Sequence, residues 1–414
     1  MRAQALTPKQ ELAKDAVLRW FKDPRGKQTF YFAGFGGTGK STCVEHIVRE
    51  IEGRVLYAAF TGKAASVMRR KGCPNATTIH RLAYRPAGDP PTHEQLEKMR
   101  EEIKRLRAAN EPGATATADK LVDLLKHDEE ASQRKGPRFS LNFDSEIKYA
   151  KLVVIDECSF VDGRVGEDLE SFGTKLLVLG DPAQLPPVYG AGYFTSREPD
   201  VFLDEILRQE LDNPIRQLCE KARRGERLSI GKYGDSEVLR YGDPSVQDKV
   251  LAADIVIVGR NRTRHACNTK IRRLLGRGDS PAPIEGDRVV CLRNDHELGL
   301  LNGTQWKVDR CLPDLNNLTA TLDITSIDDE DRTDRLECEA WLHHFMARED
   351  ELAIVDRRKR VELDFGNAVT CHRAQGSEWP NVVVFDEANS FGANATRWRY
   401  TAFSRASKQL TVIQ

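Results

Sequence analysis

The sequence has no surplus of either charge. Lys plus Arg and Asp plus Glu both number 63 over 414 residues, so no global field draws a polyanion to it and any nucleic-acid contact must come from local patches. It also lacks paired cysteines. Its nine stand singly at 43, 73, 158, 219, 267, 291, 311, 338 and 371; none has metal-ligand spacing, and an odd, scattered set fits a reducing compartment better than a disulfide framework. Long apolar runs are missing as well. No stretch approaches the roughly 20 residues that cross a bilayer, and the N-terminus, with Arg2, Lys9, Glu11, Lys14 and Asp15, has no signal-peptide core. A soluble, cytoplasmic protein without membrane contact is the expectation. Fixed-period repeats and low-complexity tracts are absent too, which leaves roughly two to four ordinary domains.

What the chain does have is Gly34-Phe35-Gly36-Gly37-Thr38-Gly39-Lys40-Ser41, between an apolar strand at Thr29 to Phe32 and a helix that Lys40, Ser41 and Thr42 open. The glycines let the backbone curl so that several N–H groups face phosphate oxygens; Lys40 adds a point charge and Ser41 a hydroxyl for Mg²⁺. A dinucleotide site needs Gly-x-Gly-x-x-Gly, which this stretch does not spell. The loop therefore implies ATP or a similar triphosphate. A second cluster, Leu152-Val153-Val154-Ile155-Asp156-Glu157, ends a buried strand. A carboxylate placed there holds the magnesium shell and its neighbour deprotonates water, so Asp156 is assigned to Mg²⁺ and Glu157 to the general base. Gln184, in Gly180-Asp181-Pro182-Ala183-Gln184-Leu185, is a candidate sensor of the γ-phosphate.

Strands alternate with helices twice over. The first set is Thr29 to Phe32, Val55 to Phe60, Leu152 to Ile155 and Leu176 to Leu179; the second is Asp254 to Val258, Asn367 to Cys371, Val382 to Phe385 and Leu410 to Ile413. Short apolar strands of this type are buried parallel ones, and two doubly wound α/β domains follow. The expected layout is a first core of residues 1–82 and 149–200, a second of 201–282 and 366–414, and two insertions. Residues 83–148 carry highly charged segments at His93 to Ala109 and Ala118 to Glu130, parted by Asn110-Glu111-Pro112-Gly113, which predicts a helical hairpin. Residues 283–365, with Gly286-Asp287-Arg288-Val289 and Asn302-Gly303-Thr304, predict a small β-barrel.

The ordered motifs resemble the superfamily-one DNA helicases of the RecD-like and Dda-like branch, over most of the chain. They run from Leu6-Thr7-Pro8-Lys9-Gln10 through the phosphate loop to Ala59-Phe60-Thr61-Gly62-Lys63-Ala64-Ala65 and Thr78-Ile79-His80-Arg81-Leu82. The Asp156 and Asp181 segments follow, then Leu207-Arg208-Gln209, Thr370-Cys371-His372-Arg373-Ala374-Gln375-Gly376-Ser377-Glu378 and Tyr400-Thr401-Ala402-Phe403-Ser404-Arg405-Ala406. The resemblance implies two RecA-like P-loop cores, a duplex-splitting pin inside the first insertion and an SH3-like barrel as the second. It assigns adenine to Gln10, further nucleotide contacts to Gly376 and Glu378, and cleft-crossing arginines to Arg208 and Arg405. It gives the single strand to Thr61, Gly62, Lys63, His80, Arg81, Thr370, His372 and Arg373, with 5′→3′ travel. Phe60 either stacks on a base or belongs to the core. Single-stranded DNA and its junctions with duplex are the implied partners, with a single-strand-binding or replication protein at the enlarged pin; a monomer is expected, in the host cytoplasm if the source is a phage. Two other readings are a strand-stimulated ATPase that strips bound proteins without unwinding, and a nucleotide-switched DNA-binding module.

Overall fold

The first half of the chain supplies strands β1 (Thr29–Gly34), β2 (Val55–Ala59), β3 (Thr77–Thr78), β4 (Tyr84–Pro86), β5 (Phe139–Leu141), β6 (Leu152–Asp156), β7 (Leu176–Gly180) and β8 (Val201–Leu203). The computed structural model describes residues 5–86, 139–187, 192–205, 213–295, 297–328, 332–352, 354–357 and 359–414, with 100–101 and 104–105 besides. Six of these strands form one sheet in the order β3-β2-β6-β7-β1-β8, all pairs parallel. Parallel strands are covered on both faces, which is why β1 and β7 are buried at every position and β6 at all but Asp156. Phe32, Val44, Ile47, Leu152 and Leu179 share the core that results. The helix Pro8–Lys22 packs there too, started by a capping box in which Thr7 and Gln10 satisfy each other's backbone N–H.

The second half supplies β9 (Gly231–Tyr233), β10 (Ser236–Leu239), β11 (Ile255–Val258), β12 (Arg288–Cys291), β13 (Gln305–Asp314), β14 (Thr319–Ser326), β15 (Leu336–Trp341), β16 (Leu363–Phe365), β17 (Ala368–Thr370), β18 (Trp379–Phe385) and β19 (Ala406–Ile413). A second sheet runs β17-β11-β18-β19-β10-β9, parallel except for β9. The third, β15-β14-β13-β12-β16, is antiparallel. Val361 exchanges backbone bonds with Glu339 and Trp341, so the run into β16 meets β15 and the sheet closes on a core around Trp306, Leu322 and Ile324. The helix Asn261–Leu274 fastens this sheet to the second core by a polar stripe four residues apart. Arg264 pairs with Asp364, the Asn268 amide nitrogen donates to Phe365 O and Ala368 O, and Arg272 pairs with the fully buried Asp287. Buried charges persist only when paired in this way, and removing one partner strands the other.

Contacts divide the chain into two units, Met1–Leu82 with Glu146–Gln414, and Ala83–Ser145. The second unit contains the antiparallel pair of β4 with β5. The expected hairpin at 93–109 and 118–130 lies outside the described residues, save Arg100, Glu101, Lys104 and Arg105, which are helical and exposed. Among the described residues, no helix is long and apolar enough to cross a membrane.

Candidate nucleotide cleft and nucleic-acid face

β1, β2, β6 and β7 all end at one edge of the first sheet, and the motif residues follow each end. After β1 the chain makes the phosphate loop, where Gly37 and Gly39 both adopt φ +79°. A Cβ at Gly39 would lie 2.3 Å from Gln10 Nε2, and one at Gly34 would lie 2.8 Å from Thr38 Oγ1, so the loop is closed to larger residues at these points. Lys40 Nζ donates to Gly34 O at 2.7 Å and Phe35 O at 3.1 Å, while the buried Thr38 donates to Phe35 O at 2.8 Å. Ser41 is exposed and Thr42 half-buried at the start of the next helix. Gln10, expected to read adenine, is buried with both ends of its amide engaged. Its oxygen accepts Thr7 N–H at 2.9 Å, and its nitrogen donates to Thr38 O at 3.0 Å.

At the end of β6, Glu157 takes a left-handed conformation, φ +55°, uncommon for a side chain of this size and typical of strained functional positions. Asp156 Oδ1 accepts the Glu157 N–H at 2.8 Å. Burial pushes the Glu157 carboxyl above its ordinary range; Asp156 adds to the rise, and the charges of Arg405 and Lys40 oppose it. Arg405 stands in the second core, buried, with Nε on Thr401 O at 3.0 Å, Nη1 on Ser377 O at 3.2 Å and Nη2 on Ser404 Oγ at 2.9 Å. Gln184 is buried, and among the described residues its side-chain oxygen has no hydrogen-bond partner. Arg208 lies outside the described residues. Gly376, at φ +72°, faces Thr61 and Ala64, and Glu378 is exposed.

Further residues cross between the two cores, and of these the sequence reading did not single out Arg216. Tyr400 OH donates to Asp181 Oδ2 at 2.7 Å and accepts Gly36 N–H at 3.0 Å. Arg216 Nη1 donates to Gly36 O at 2.9 Å, and the Arg223 guanidinium sits 4.3 Å over the Phe35 ring. Leu185 is held likewise, its N–H by Thr401 Oγ1 at 2.9 Å and its carbonyl by Gln375 Nε2 at 3.1 Å. Tyr400 was legible as the residue beginning the last motif. Arg216 follows a helix start, Asn213-Pro214, and no local pattern marks it.

Of the expected strand-contacting residues, Arg81 and Arg373 are exposed, and Phe60, Thr61, His80 and His372 are half-buried. The Phe60 ring stacks on Phe160 at 5.3 Å and meets the edge of His80 at 5.9 Å, so one of its faces is already covered. Thr61 caps the helix Gly62–Arg70 through Ala64 N–H. Burial lowers the proton affinity of both His80 and His372, leaving them neutral donors and acceptors more than cations. Thr370 is buried, and Gly62 lies under Leu301 and Asn294, where a Cβ would meet Leu301 Cβ at 2.9 Å. Lys63 is engaged internally: its ammonium is buried 3.0 Å from Asp328 Oδ1 and 4.6 Å over the Trp379 ring. Lys63→Met is therefore expected to lower the unfolding temperature and leave the salt dependence of single-strand affinity unchanged. Arg81→Ala and Arg373→Ala should each flatten that dependence by about 0.7 in log–log slope, the share of one phosphate. Salt titrations by fluorescence anisotropy check this; a flattened slope for Lys63→Met would return that residue to the face.

Residues 6–244 match the AAA domain family, and residues 365–413 the UvrD-like helicase C-terminal domain. The ATP-dependent RecD2 DNA helicase of Deinococcus radiodurans is 24% identical over 414 aligned positions, covering 92% of this chain and 46% of that protein. The chain spans less than half the length of the curated relatives it matches. In structure it resembles the Pif1 helicase from Candida albicans, at 16% identity and a TM-score of 0.53 over 99% of this chain and 94% of that one. The Bacteroides Pif1 bound to ssDNA is similar at 14% identity and a TM-score of 0.52, over 99% and 92%. At such identities the likeness is one of fold.

Proposed function

The chain belongs to the AAA-domain family, and we propose that it is a superfamily-one helicase of the RecD/Pif1-like branch, an ATP-driven motor moving 5′→3′ along single-stranded DNA and separating duplex ahead of it. The carrying observation is the two-walled cleft. Lys40 and Glu157 stand on the first core; Arg405 stands on the second, which Tyr400, Arg216 and Thr401 join to the first at Asp181, Gly36 and Leu185. ATP lies between these walls, its phosphates in the Gly34–Ser41 loop. The Ser41 hydroxyl and the Asp156 carboxylate, whose second oxygen is not used in the bond to Glu157 N–H, make an oxygen donor set that suits a small hard cation, and these two would hold Mg²⁺. When bound, the ion neutralises charge on the β- and γ-phosphate oxygens. Glu157 takes the proton of the attacking water, Gln184 orients it, and Arg405 meets the charge that develops on the transferring phosphoryl group.

Hydrolysis removes the group that both walls grip, so the cleft opens and closes once per ATP. The strand lies across Phe60, His80, Arg81, His372 and Arg373, in keeping with the Pif1 relative solved with ssDNA. Contacts of this kind go to phosphate and stacked bases and are neutral to sequence. The pair of β4 and β5 serves as the pin and the closed sheet of residues 288–365 as an SH3-like barrel. One chain carries both walls of the cleft, so a monomer suffices, with the 83–148 insertion meeting duplex or a replication partner.

The test is unwinding of matched 5′-tailed and 3′-tailed duplexes, beside ATP turnover with and without single strands and with Lys40→Ala as control. Unwinding from the 5′ tail alone, lost in Lys40→Ala, is the expected result. Unwinding from the 3′ tail alone defeats the polarity; strand-stimulated turnover without unwinding leaves a translocase, and negligible turnover leaves a nucleotide-switched binder.

A further inference from the structure

Both backbone polar groups of Gly36 are occupied from the opposite core. The N–H goes to Tyr400 OH and the carbonyl to Arg216 Nη1, with the Tyr400 phenol anchored in turn on Asp181. Arg216 and Arg223 sit on the same helix, Pro214–Arg223, and Arg223 covers the ring of the neighbouring Phe35. The loop residues Phe35 and Gly36 are thus held at three points by side chains of the second core. Gly36 has no positive φ, so alanine suits its backbone, yet a Cβ there would lie 3.2 Å from Arg216 Nη1 and 3.6 Å from Tyr400 OH.

On the strength of the ATPase reading above, we infer that Arg216, with Tyr400, is a positioning residue for ATP: it fixes the shape of the phosphate loop from the second core, so that cleft closure is transmitted to the grip on the phosphates through the Gly36 backbone. A hydrogen bond from a charged donor to a loop carbonyl is stronger than a neutral one, and it spares ATP the cost of ordering that loop. Tyr400 and Arg216 approach Gly36 from one core, so a rigid movement of that core changes both bonds together. The loop that grips phosphate thereby senses where the second core stands.

The experiment is steady-state ATP turnover by the full chain at saturating single-stranded DNA, for wild type, Arg216→Ala, Arg216→Lys, Gly36→Ala and the Arg216→Ala/Gly36→Ala pair. Arg216→Ala is expected to raise KM for ATP about tenfold with kcat within about threefold, the signature of lost binding and not of lost chemistry. Arg216→Lys, which keeps one charged donor, should recover most of that loss. Gly36→Ala should raise KM in the wild-type background and add less than about twofold once Arg216 is gone, because the two changes disturb one contact. An unchanged KM in Arg216→Ala, a loss confined to kcat, failure of lysine to rescue, or fully multiplicative losses in the pair would each overturn the inference. If wild type turns over no ATP, or Lys40→Ala matches it, the ATPase reading itself has failed and the inference falls with it.

Discussion

Glu157→Gln is expected to cut kcat for strand-stimulated ATP hydrolysis by about 10³-fold, while ATP and single-strand affinities stay within about threefold. The change is nearly isosteric and removes only the capacity to take a proton. Its size follows from placement. The left-handed turn at Glu157 comes directly after the last residue of β6, and the positive charges of Arg405 and Lys40 oppose the rise that burial gives its carboxyl. Asp156→Asn should behave differently. It weakens the donor set for magnesium, so its loss should shrink as Mg²⁺ is raised, whereas the Glu157→Gln loss should not. Steady-state kinetics over a magnesium series separate the two; a Glu157→Gln enzyme within tenfold of wild type would remove Glu157 from the role of base.

The first wall of the cleft was legible because its chemistry is local. A strand, a glycine loop and a lysine within eight residues specify phosphate binding, and Asp156-Glu157 follows a run too apolar to be anything but a buried strand. Long apolar strands were placed to within a few residues: Thr29–Gly34 against an expected Thr29 to Phe32, and Leu176–Gly180 against Leu176 to Leu179. Thr77–Thr78 and Val201–Leu203 were missed, being two- and three-residue strands whose existence depends on a neighbour already in place. The span expected as strand through Cys371 stops at Thr370, where the helix Cys371–Ala374 begins. Lys63 shows the other limit. Its pairing with Asp328, 265 residues away in sequence, is visible only in the fold. Arg216 and Gly36 are likewise 180 residues apart. Contacts of that span leave no periodicity behind, because each partner satisfies its own local rules without the other.

Arg405→Ala is expected to lower kcat by about 10³-fold or more, the scale of an essential arginine finger, with ATP binding reduced less than about tenfold. Three hydrogen bonds to Thr401, Ser377 and Ser404 fix the guanidinium on its own core, so it loses little freedom when the cleft closes. Arg405→Lys keeps a charge but not the planar fork that makes those three bonds, and should recover little. A general disturbance of the second core would look similar in kcat alone. The discriminating measurement is the double variant. Glu157 and Arg405 act on the same phosphoryl transfer from opposite walls, one withdrawing the proton and the other meeting the charge, and groups that work as a unit show losses far from additive. Arg405→Ala added to Glu157→Gln should therefore cost less than about tenfold beyond Glu157→Gln alone. Losses that multiply in full would mean that the two side chains serve separate steps, and the cleft would then have to be rebuilt around a different arginine.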